Sequence, residues 1–268
     1  MYLSVRIFLL STMLLILTAC ATSPTGRSQL MLVSEESAIN ASKTAYVEMI
    51  KPFEEEGKLD NDPVLKARVD RITGRLIAQA VIMRPDTRNW EWSMKILDDP
   101  ETVNAWAMAG GKMALYTGLV EKVKPTDDEL AQVLAHEISH ALAKHTAEKM
   151  SVSMATQLGV AAVAVASDSQ GTLAGAALAA KLGVELPNSR GAESEADRIG
   201  IELAAKAGYD PRAAATLWHK MGEVGGNRMP QFLSTHPSPT NRESTLGKLA
   251  DEMMPYYQAK GERPTFKF

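Results

Sequence analysis

Apolar residues recur at helical spacing in several parts of the chain. Residues 62–81 place them three and four positions apart, which predicts an amphipathic helix. A second helix is predicted to begin at about Asp127, because Thr126 and Glu129 have capping-box spacing and an apolar stripe follows them. Residues 154–183 are rich in Ala and Gly, but polar residues interrupt their apolar stretches. We therefore expect two packed helices there and not a transmembrane span.

Strand-like patterns lie between these helical segments. Residues 90–97 alternate apolar and polar positions, as a half-buried strand does. Residues 103–108 and 112–116 flank a Gly-Gly pair, which favours a β-hairpin. Residues 225–242 are rich in Gly, Pro, Asn and Ser and predict a long loop before a last helix. Together these patterns predict one α+β domain over residues 34–268, mostly helical with a small antiparallel sheet.

Composition narrows the classes of partner and of metal site. The 268 residues are 45% hydrophobic and 23% charged, which is ordinary for a globular protein. With 29 Lys and Arg against 32 Asp and Glu, the chain has no basic surplus for nucleic-acid phosphates, and we expect no nucleic-acid partner. The single cysteine excludes an intrachain disulfide and a multi-cysteine metal site. Any metal must therefore be held by carboxylates and the five histidines.

The beginning of the chain has the pattern of an export signal. The apolar run over residues 7–19 is shorter than the roughly 18 residues expected of a spanning helix and suits a signal-peptide core, so residues 1–19 are predicted to be a signal peptide. The run ends in Leu17-Thr18-Ala19-Cys20, which resembles the bacterial lipobox, where cleavage leaves a lipid-modified cysteine as the first residue. The alternative is a buried N-terminal helix with a chance cysteine.

Residues 20–33 are predicted to be a lipidated N-terminus and a tether. Residues 22–28 are small, polar and rich in Pro and Gly, as linkers are. A lipid on Cys20 would anchor an otherwise soluble protein to a membrane. The residue after the cysteine is Ala21 and not Asp. In this the chain resembles lipoproteins that are sent to the outer membrane. We therefore expect a periplasmic protein at the inner face of that membrane.

Candidate chemistry is concentrated on the helix that begins near Asp127. His136 and His140 are four residues apart, so both imidazoles face one side of the helix and can reach one metal ion. Glu137 lies about 100° further round, where its carboxylate can reach a water at the metal as a general base. His145 lies on the other side of the helix from His136 and is not expected to join this site. Two histidines on a polar face are the simpler alternative.

A catalytic zinc ion usually takes three protein ligands and leaves one position for water. Glu193 and Asp197 share one face of a later helix, whereas Glu195 points away from that face. We assign Glu193 to the metal and Asp197 to the ring N–H of a ligating histidine, since carboxylates commonly orient such rings. A solvated acidic helix is the alternative. The predicted cofactor is one Zn²⁺ per chain.

Several further motifs accompany the histidine motif and the acidic pair. They are Asn104-Ala105 before Gly110-Gly111, Ala207-Gly208-Tyr209-Asp210-Pro211, and Thr235-His236-Pro237-Ser238 with Arg242. With them the sequence resembles the HtpX-type zinc metallopeptidases, especially the periplasmic BepA/LoiP-like lipoprotein branch, over nearly the whole mature chain. The resemblance implies a mostly helical, zincin-like (gluzincin) endopeptidase fold with a small sheet.

The resemblance also implies a substrate and a way of binding it. The strand containing Asn104, Ala105 and Trp106 is similar to the edge strand that family members offer to substrate, where an extended peptide gains main-chain hydrogen bonds. Unfolded or misassembled envelope proteins would suit such a site, with the outer-membrane assembly machinery as a further candidate partner. The rival interpretation is an outer-membrane-protein assembly chaperone with a latent zinc site. Another zinc hydrolase chemistry, such as deacylation, is a third.

The two remaining histidines receive different interpretations. His236 lies in a predicted loop and is expected to act in catalysis, by stabilising the oxyanion or as a removable zinc ligand. Its simpler alternative is to cap the loop before Pro237. His219, beside Trp218 on a predicted helix, is interpreted as a packing or surface residue.

Overall fold

The computed structural model describes residues 20–166, 169–224, 230–236 and 241–268. The predicted signal peptide, residues 1–19, lies outside the described residues, as do Pro237 and Ser238. The remaining segments form a largely helical α+β structure around one main hydrophobic core. This agrees with the predicted fold class.

The first half of the chain supplies two long helices and a three-stranded sheet. The elements are α1 (Glu35–Glu55), α2 (Pro63–Met83), β3 (Ser93–Leu97), β4 (Ala105–Met108) and β5 (Lys112–Tyr116), with a 3₁₀ helix at Pro85–Asn89 and a short α3 at Thr117–Val123. The helix predicted over residues 62–81 and the β4–β5 hairpin are confirmed.

The sheet is mixed, which corrects the prediction of an antiparallel one. Its strand order is β3-β5-β4, with β5 antiparallel to β4 but parallel to β3. The chain leaves β3 and crosses to the far edge before it forms the hairpin, and hydrophobic alternation does not report such a crossing. Among the described strands, β4 therefore has a neighbour on one side only, and its free edge faces the helical half of the molecule.

The helical half contains the remaining elements. They are α4 (Asp127–Leu142), α5 (His145–Ala166), α6 (Gln170–Ala180), a π-helical turn at Lys181–Glu185, α7 (Leu186–Lys206), α8 (Ala213–Val224), α9 (Gln231–Thr235) and α10 (Arg242–Gln258). Helices α5 and α6 pack on each other, as predicted. Within the described part of the chain, none of the helices has both the length and the apolar character needed to cross a bilayer. The short α9 falls inside the predicted long loop.

Residues 22–28, which were predicted to be a tether, form the turn of a hairpin that is docked on the domain through Arg27, and this corrects the prediction for that segment. Cys20–Thr22 (β1) pairs antiparallel with Ser28–Leu30 (β2). Ser23 and Gly26 close the turn through a main-chain hydrogen bond of 3.0 Å, and Gly26 takes a positive φ of 89°. Pro and Gly suggested a flexible linker, but the same residue types also build tight turns.

Candidate metal centre

Helix α4 carries the histidine motif and begins where the sequence predicts. The Thr126 hydroxyl accepts a hydrogen bond from the Glu129 N–H at 3.2 Å, and the Glu129 carboxylate accepts one from the Thr126 N–H at 2.8 Å. This capping box satisfies two donors at the start of the helix. Apolar side chains then bury the opposite stripe, with Leu130, Leu134 and Ile138 at most 1% exposed. The core thereby fixes the rotation of α4 and turns His136 toward α7.

Helices α4 and α7 pack closely at His136. A Cβ built on Gly200 of α7 would lie 3.0 Å from both the backbone nitrogen and the Cα of His136. A side chain at this position would require the two backbones to move apart by a few tenths of an ångström. Asp197 and Glu193, one and two turns earlier on α7, are carried directly over the histidines.

The structure brings four predicted side chains to one point. His136, His140, Glu193 and His236 offer ligand atoms that all lie within 4.8 Å of one another. The Nε2 atom of His136 is 3.1 Å from Nε2 of His140, 3.3 Å from a Glu193 oxygen and 3.3 Å from Nδ1 of His236. Nε2 of His140 is 3.4 Å from the other Glu193 oxygen, and Nδ1 of His236 is 3.2 Å from Glu193.

These separations fit a tetrahedral zinc ion. Bonds of about 2.0–2.1 Å in a tetrahedron place the ligand atoms about 3.3–3.4 Å from one another. Ring nitrogens that point their lone pairs at a common centre repel each other unless a cation lies between them. Two imidazoles and a carboxylate are also a usual donor set for catalytic zinc. The site therefore fits the predicted cofactor.

Electrostatics favour a cation at the same point. Burial alone would lower the pKa of His136, but the carboxylates of Asp197 and Glu193 raise it to about 9. Burial would raise the pKa of Glu193, yet its contacts with His136 and His236 hold that pKa far below its usual range. Burial and the neighbouring His136 lower the pKa of His140, which keeps its lone pair available. The buried carboxylates thus favour a positive charge at the point where the four side chains meet.

Glu137 lies beside the cluster but not in it. Its side chain is 3% exposed, and burial raises its pKa above the ordinary value. One carboxylate oxygen accepts a hydrogen bond of 3.2 Å from the Ala107 N–H, and the other lies 3.3 Å from Nε2 of His236. A carboxylate of raised pKa next to the metal position has the placement of a general base.

Asp197 lies behind His136, one of the histidines that it was predicted to orient. Its Oδ1 atom is 3.1 Å from Nδ1 of His136, the ring nitrogen that faces away from the cluster. Arg242 donates to the same oxygen at 2.5 Å and to the His236 carbonyl oxygen at 3.3 Å. The guanidinium also lies 3.9 Å above the Trp218 ring. Arg242 thus connects the orienting carboxylate with the segment that carries His236, a link that the motif alone did not reveal.

His236 takes the corner of the tetrahedron that a reacting water would need. Its ring stacks on Phe232 with centroids 4.5 Å apart. The Phe232 N–H donates to the Val103 carbonyl oxygen at 3.1 Å, just before the free edge of β4. Residues 230–236 therefore contact both the segment just before β4 and the cluster.

The predicted substrate strand lies next to the cluster, where Ala107 contacts Glu137, but its side chains differ in placement. Asn104 and Ala105 are buried, and Trp106 packs its ring edge-on against Tyr46 of α1 with centroids 5.8 Å apart. The ring of Trp106 packs against the core cluster between the sheet and α1, and its main chain pairs with Ala114 of β5, so neither is presented at the free edge. The N–H that touches the candidate base belongs to Ala107, which the sequence did not single out.

His145 and Glu195 are the residues whose place sequence reasoning missed. As predicted, neither belongs to the metal-facing group. His145 nevertheless contacts His140 from behind, with their Nδ1 atoms 2.8 Å apart, and Glu195 contacts His145 at 3.1 Å. Helical spacing correctly predicted that both side chains point away from the metal position. It could not predict that they contact each other, because they lie on different helices. His219 is 64% exposed and pairs with Glu223, in agreement with a surface role.

Known proteins that are similar in sequence to this chain are named metalloendopeptidases or proteases. The relatives include the mitochondrial metalloendopeptidase OMA1 of Schizosaccharomyces pombe, 36% identical over 196 residues (72% of this chain and 54% of the relative), and human OMA1, 32% identical over 243 residues (86% and 45%). The beta-barrel assembly-enhancing protease of Escherichia coli is 30% identical over 208 residues, which is 74% of this chain and 41% of the relative.

The chain thus spans about half, or less, of the length of these relatives. The model of the Peptidase family M48 matches residues 63–250, from the start of α2 into α10. That range contains the histidine motif, Glu193 and His236, and it covers well over half of the chain. The chain belongs to peptidase family M48.

Proposed function

We propose that the chain is a zinc-dependent metalloendopeptidase that cleaves unfolded or misassembled envelope proteins. The observation that carries this proposal is the near-tetrahedral convergence of His136, His140 and Glu193, with Glu137 beside it. Relatives named metalloendopeptidase and protease support the reaction type.

Each residue of the site has a separate role in the proposed peptide hydrolysis. His136, His140 and Glu193 would hold the zinc ion, which when bound supplies a Lewis acid that polarises a peptide carbonyl and acidifies a water. Glu137 takes the proton from the attacking water and later delivers it to the leaving amine. Burial raises the pKa of Glu137, which makes the carboxylate a better base near neutral pH. Asp197 holds the His136 ring in the orientation that binding requires.

The free edge of β4 supports an extended polypeptide as substrate. The N–H of Ala107 points away from β5 and toward Glu137. Alternation along an antiparallel strand turns the main chain of Ala105 to the same side. A substrate strand added there would place its main chain next to the general base and would gain hydrogen bonds that need no particular side chains. Unfolded chains meet this requirement, whereas folded proteins rarely expose such a strand.

His236 would have to move for the reaction to proceed. Its ring takes the fourth corner of the cluster and lies 3.3 Å from Glu137. We propose that it is a removable ligand, which leaves when residues 230–236 give way to substrate and which then faces the developing oxyanion.

For location, we propose a lipoprotein of the bacterial periplasm, anchored through Cys20 to the inner face of the outer membrane. The lipobox-like sequence and Ala21 support this placement. The outer-membrane assembly machinery is a candidate partner, since relatives are named beta-barrel assembly-enhancing protease.

Cleavage of casein or of an unfolded outer-membrane protein, with zinc content measured on the same sample, tests the proposal. We expect one zinc ion per chain, loss of cleavage with a chelator and recovery on adding zinc. Glu137→Gln should retain zinc and lose cleavage by several orders of magnitude. Glu202→Gln, an exchange of the same kind on the far part of α7, serves as the control. Cleavage retained by Glu137→Gln would refute the assigned base.

The assembly chaperone with a latent zinc site makes a different prediction. The His236 ring at the fourth corner of the cluster favours this alternative, since a permanently filled corner has no place for water. A Glu137→Gln variant would then restore outer-membrane assembly as well as the wild type does. Failure to restore it would assign the cellular role to proteolysis.

A further inference from the structure

His140 is oriented by a chain of hydrogen bonds that leads away from the metal position. Its Nε2 atom faces His136 and Glu193, so in a neutral ligating ring the proton lies on Nδ1. Nδ1 of His145 lies 2.8 Å away and must accept that proton's hydrogen bond. His145 therefore carries its own proton on Nε2, which donates to Glu195 at 3.1 Å. The network itself assigns both tautomers.

Glu195 in turn is held by the N-terminal hairpin. Arg27 donates to one of its oxygens through Nε at 2.8 Å, and Thr25 donates to the other at 2.6 Å. The remaining nitrogens of Arg27 bind both oxygens of Glu148 on α5, each at 2.6 Å. Gln29 adds hydrogen bonds of 2.8 Å to Glu148 and to the Ala143 carbonyl oxygen.

Arg27 is the charge partner that this arrangement requires. Glu195 and Glu148 are only 4% and 1% exposed, and a buried carboxylate without a charge partner is strongly destabilising. One guanidinium serves both of them, and the turn between β1 and β2 fixes its position. Without the hairpin, Glu195 would lose its charge partner and with it a fixed orientation toward His145.

We propose that the N-terminal hairpin, acting through Arg27, Glu195 and His145, positions His140 for binding zinc. This inference rests on the metallopeptidase function proposed above. These three are positioning residues, since none of them faces the metal or a substrate. The hairpin begins at Cys20, so the residues directly after the candidate lipid anchor form part of the support of the metal centre.

The test compares two substitutions at His145 that have the same branched shape and the same number of side-chain heavy atoms. Asn can accept the hydrogen bond from His140 with its amide oxygen, whereas Leu cannot. Partners that orient a metal ligand typically contribute about 10–100-fold in metal affinity. We expect His145→Leu to bind cobalt and zinc about 10–100-fold more weakly in competition with a chelator, and to shift the visible spectrum of the cobalt-loaded full-length protein. His145→Asn should recover most of the affinity and the wild-type spectrum.

Arg27→Ala, with Arg68→Ala as its control, extends the test to the hairpin. The two arginines are similarly exposed (23% and 26%) and each binds carboxylate, but Arg68 pairs with Asp127 at the far end of α4. We expect Arg27→Ala to weaken cobalt binding several-fold and Arg68→Ala to leave it unchanged. Equal effects of Asn and Leu at His145, or wild-type affinity in Arg27→Ala, would overturn the inference. A wild type that binds no metal would instead refute the proposed function.

Discussion

Gly200→Ala tests whether the contact of α7 with α4 sets the geometry of the metal centre. Alanine is about 1 kcal/mol better than glycine inside a helix. Here, however, the new methyl group would lie 3.0 Å from the His136 backbone, and overpacking of this kind costs about 1–3 kcal/mol. We expect a net loss of up to about 2 kcal/mol in the free energy of unfolding. Because α7 also carries Glu193 and Asp197, its displacement should lower zinc affinity as well.

Gly247→Ala is the matched control, since a methyl group on this glycine of α10 would meet nothing within 4 Å. It should gain up to about 1 kcal/mol from helix propensity and leave the metal centre unchanged. Urea unfolding of the metal-free proteins gives the stability, and chelator competition gives the zinc affinity. If Gly200→Ala were stabilised like the control and bound zinc with wild-type affinity, the close contact would not control the site.

Three further predictions concern helix α4 and the ring of His236. Thr126→Ala should lose about 1 kcal/mol of unfolding free energy through its missing cap, measured by urea unfolding. Burial tends to raise the pKa of Glu129, but Lys220 and the Thr126 N–H lower it overall, so its stabilising effect is present near neutral pH and is lost as acid protonates it. Glu129→Gln should therefore flatten the acid side of the stability–pH curve. His236→Ala should weaken zinc binding in chelator competition, and unchanged affinity would show that the ring is no ligand.

Local sequence patterns predicted the elements whose determinants are themselves local. The capping box at Thr126 and the four-residue spacing of His136 and His140 are properties of one helix. One turn of periodicity therefore fixes both the start of α4 and the common face of its imidazoles. The spacing of Glu193 and Asp197 worked in the same way on α7.

The errors arose where the outcome depends on segments far apart in the chain. The parallel pairing of β3 with β5 is set by the route between strands, which alternation does not encode. Residues 22–28 have the composition of a linker. Arg27 anchors them to the domain because it pairs with carboxylates on α5 and α7, which are far away in the sequence. Likewise, Trp106 looked available on an edge strand, but α1 covers that face of the sheet.

The acidic motif on α7 explains why both ends of the chain are needed at this centre. Glu193, Glu195 and Asp197 lie two residues apart and are all at most 8% exposed, so the helix buries three carboxylates within five residues. Each must face a positive group or a metal ion. Asp197 pairs with Arg242 at 2.5 Å and Glu195 pairs with Arg27 of the N-terminal hairpin, whereas Glu193, which Arg242 reaches only at 3.7 Å, faces the histidines at the metal position. The charge balance of α7 therefore depends on three partners at once, namely Arg27 of the N-terminal hairpin, Arg242 of α10 and the cation expected at the histidines.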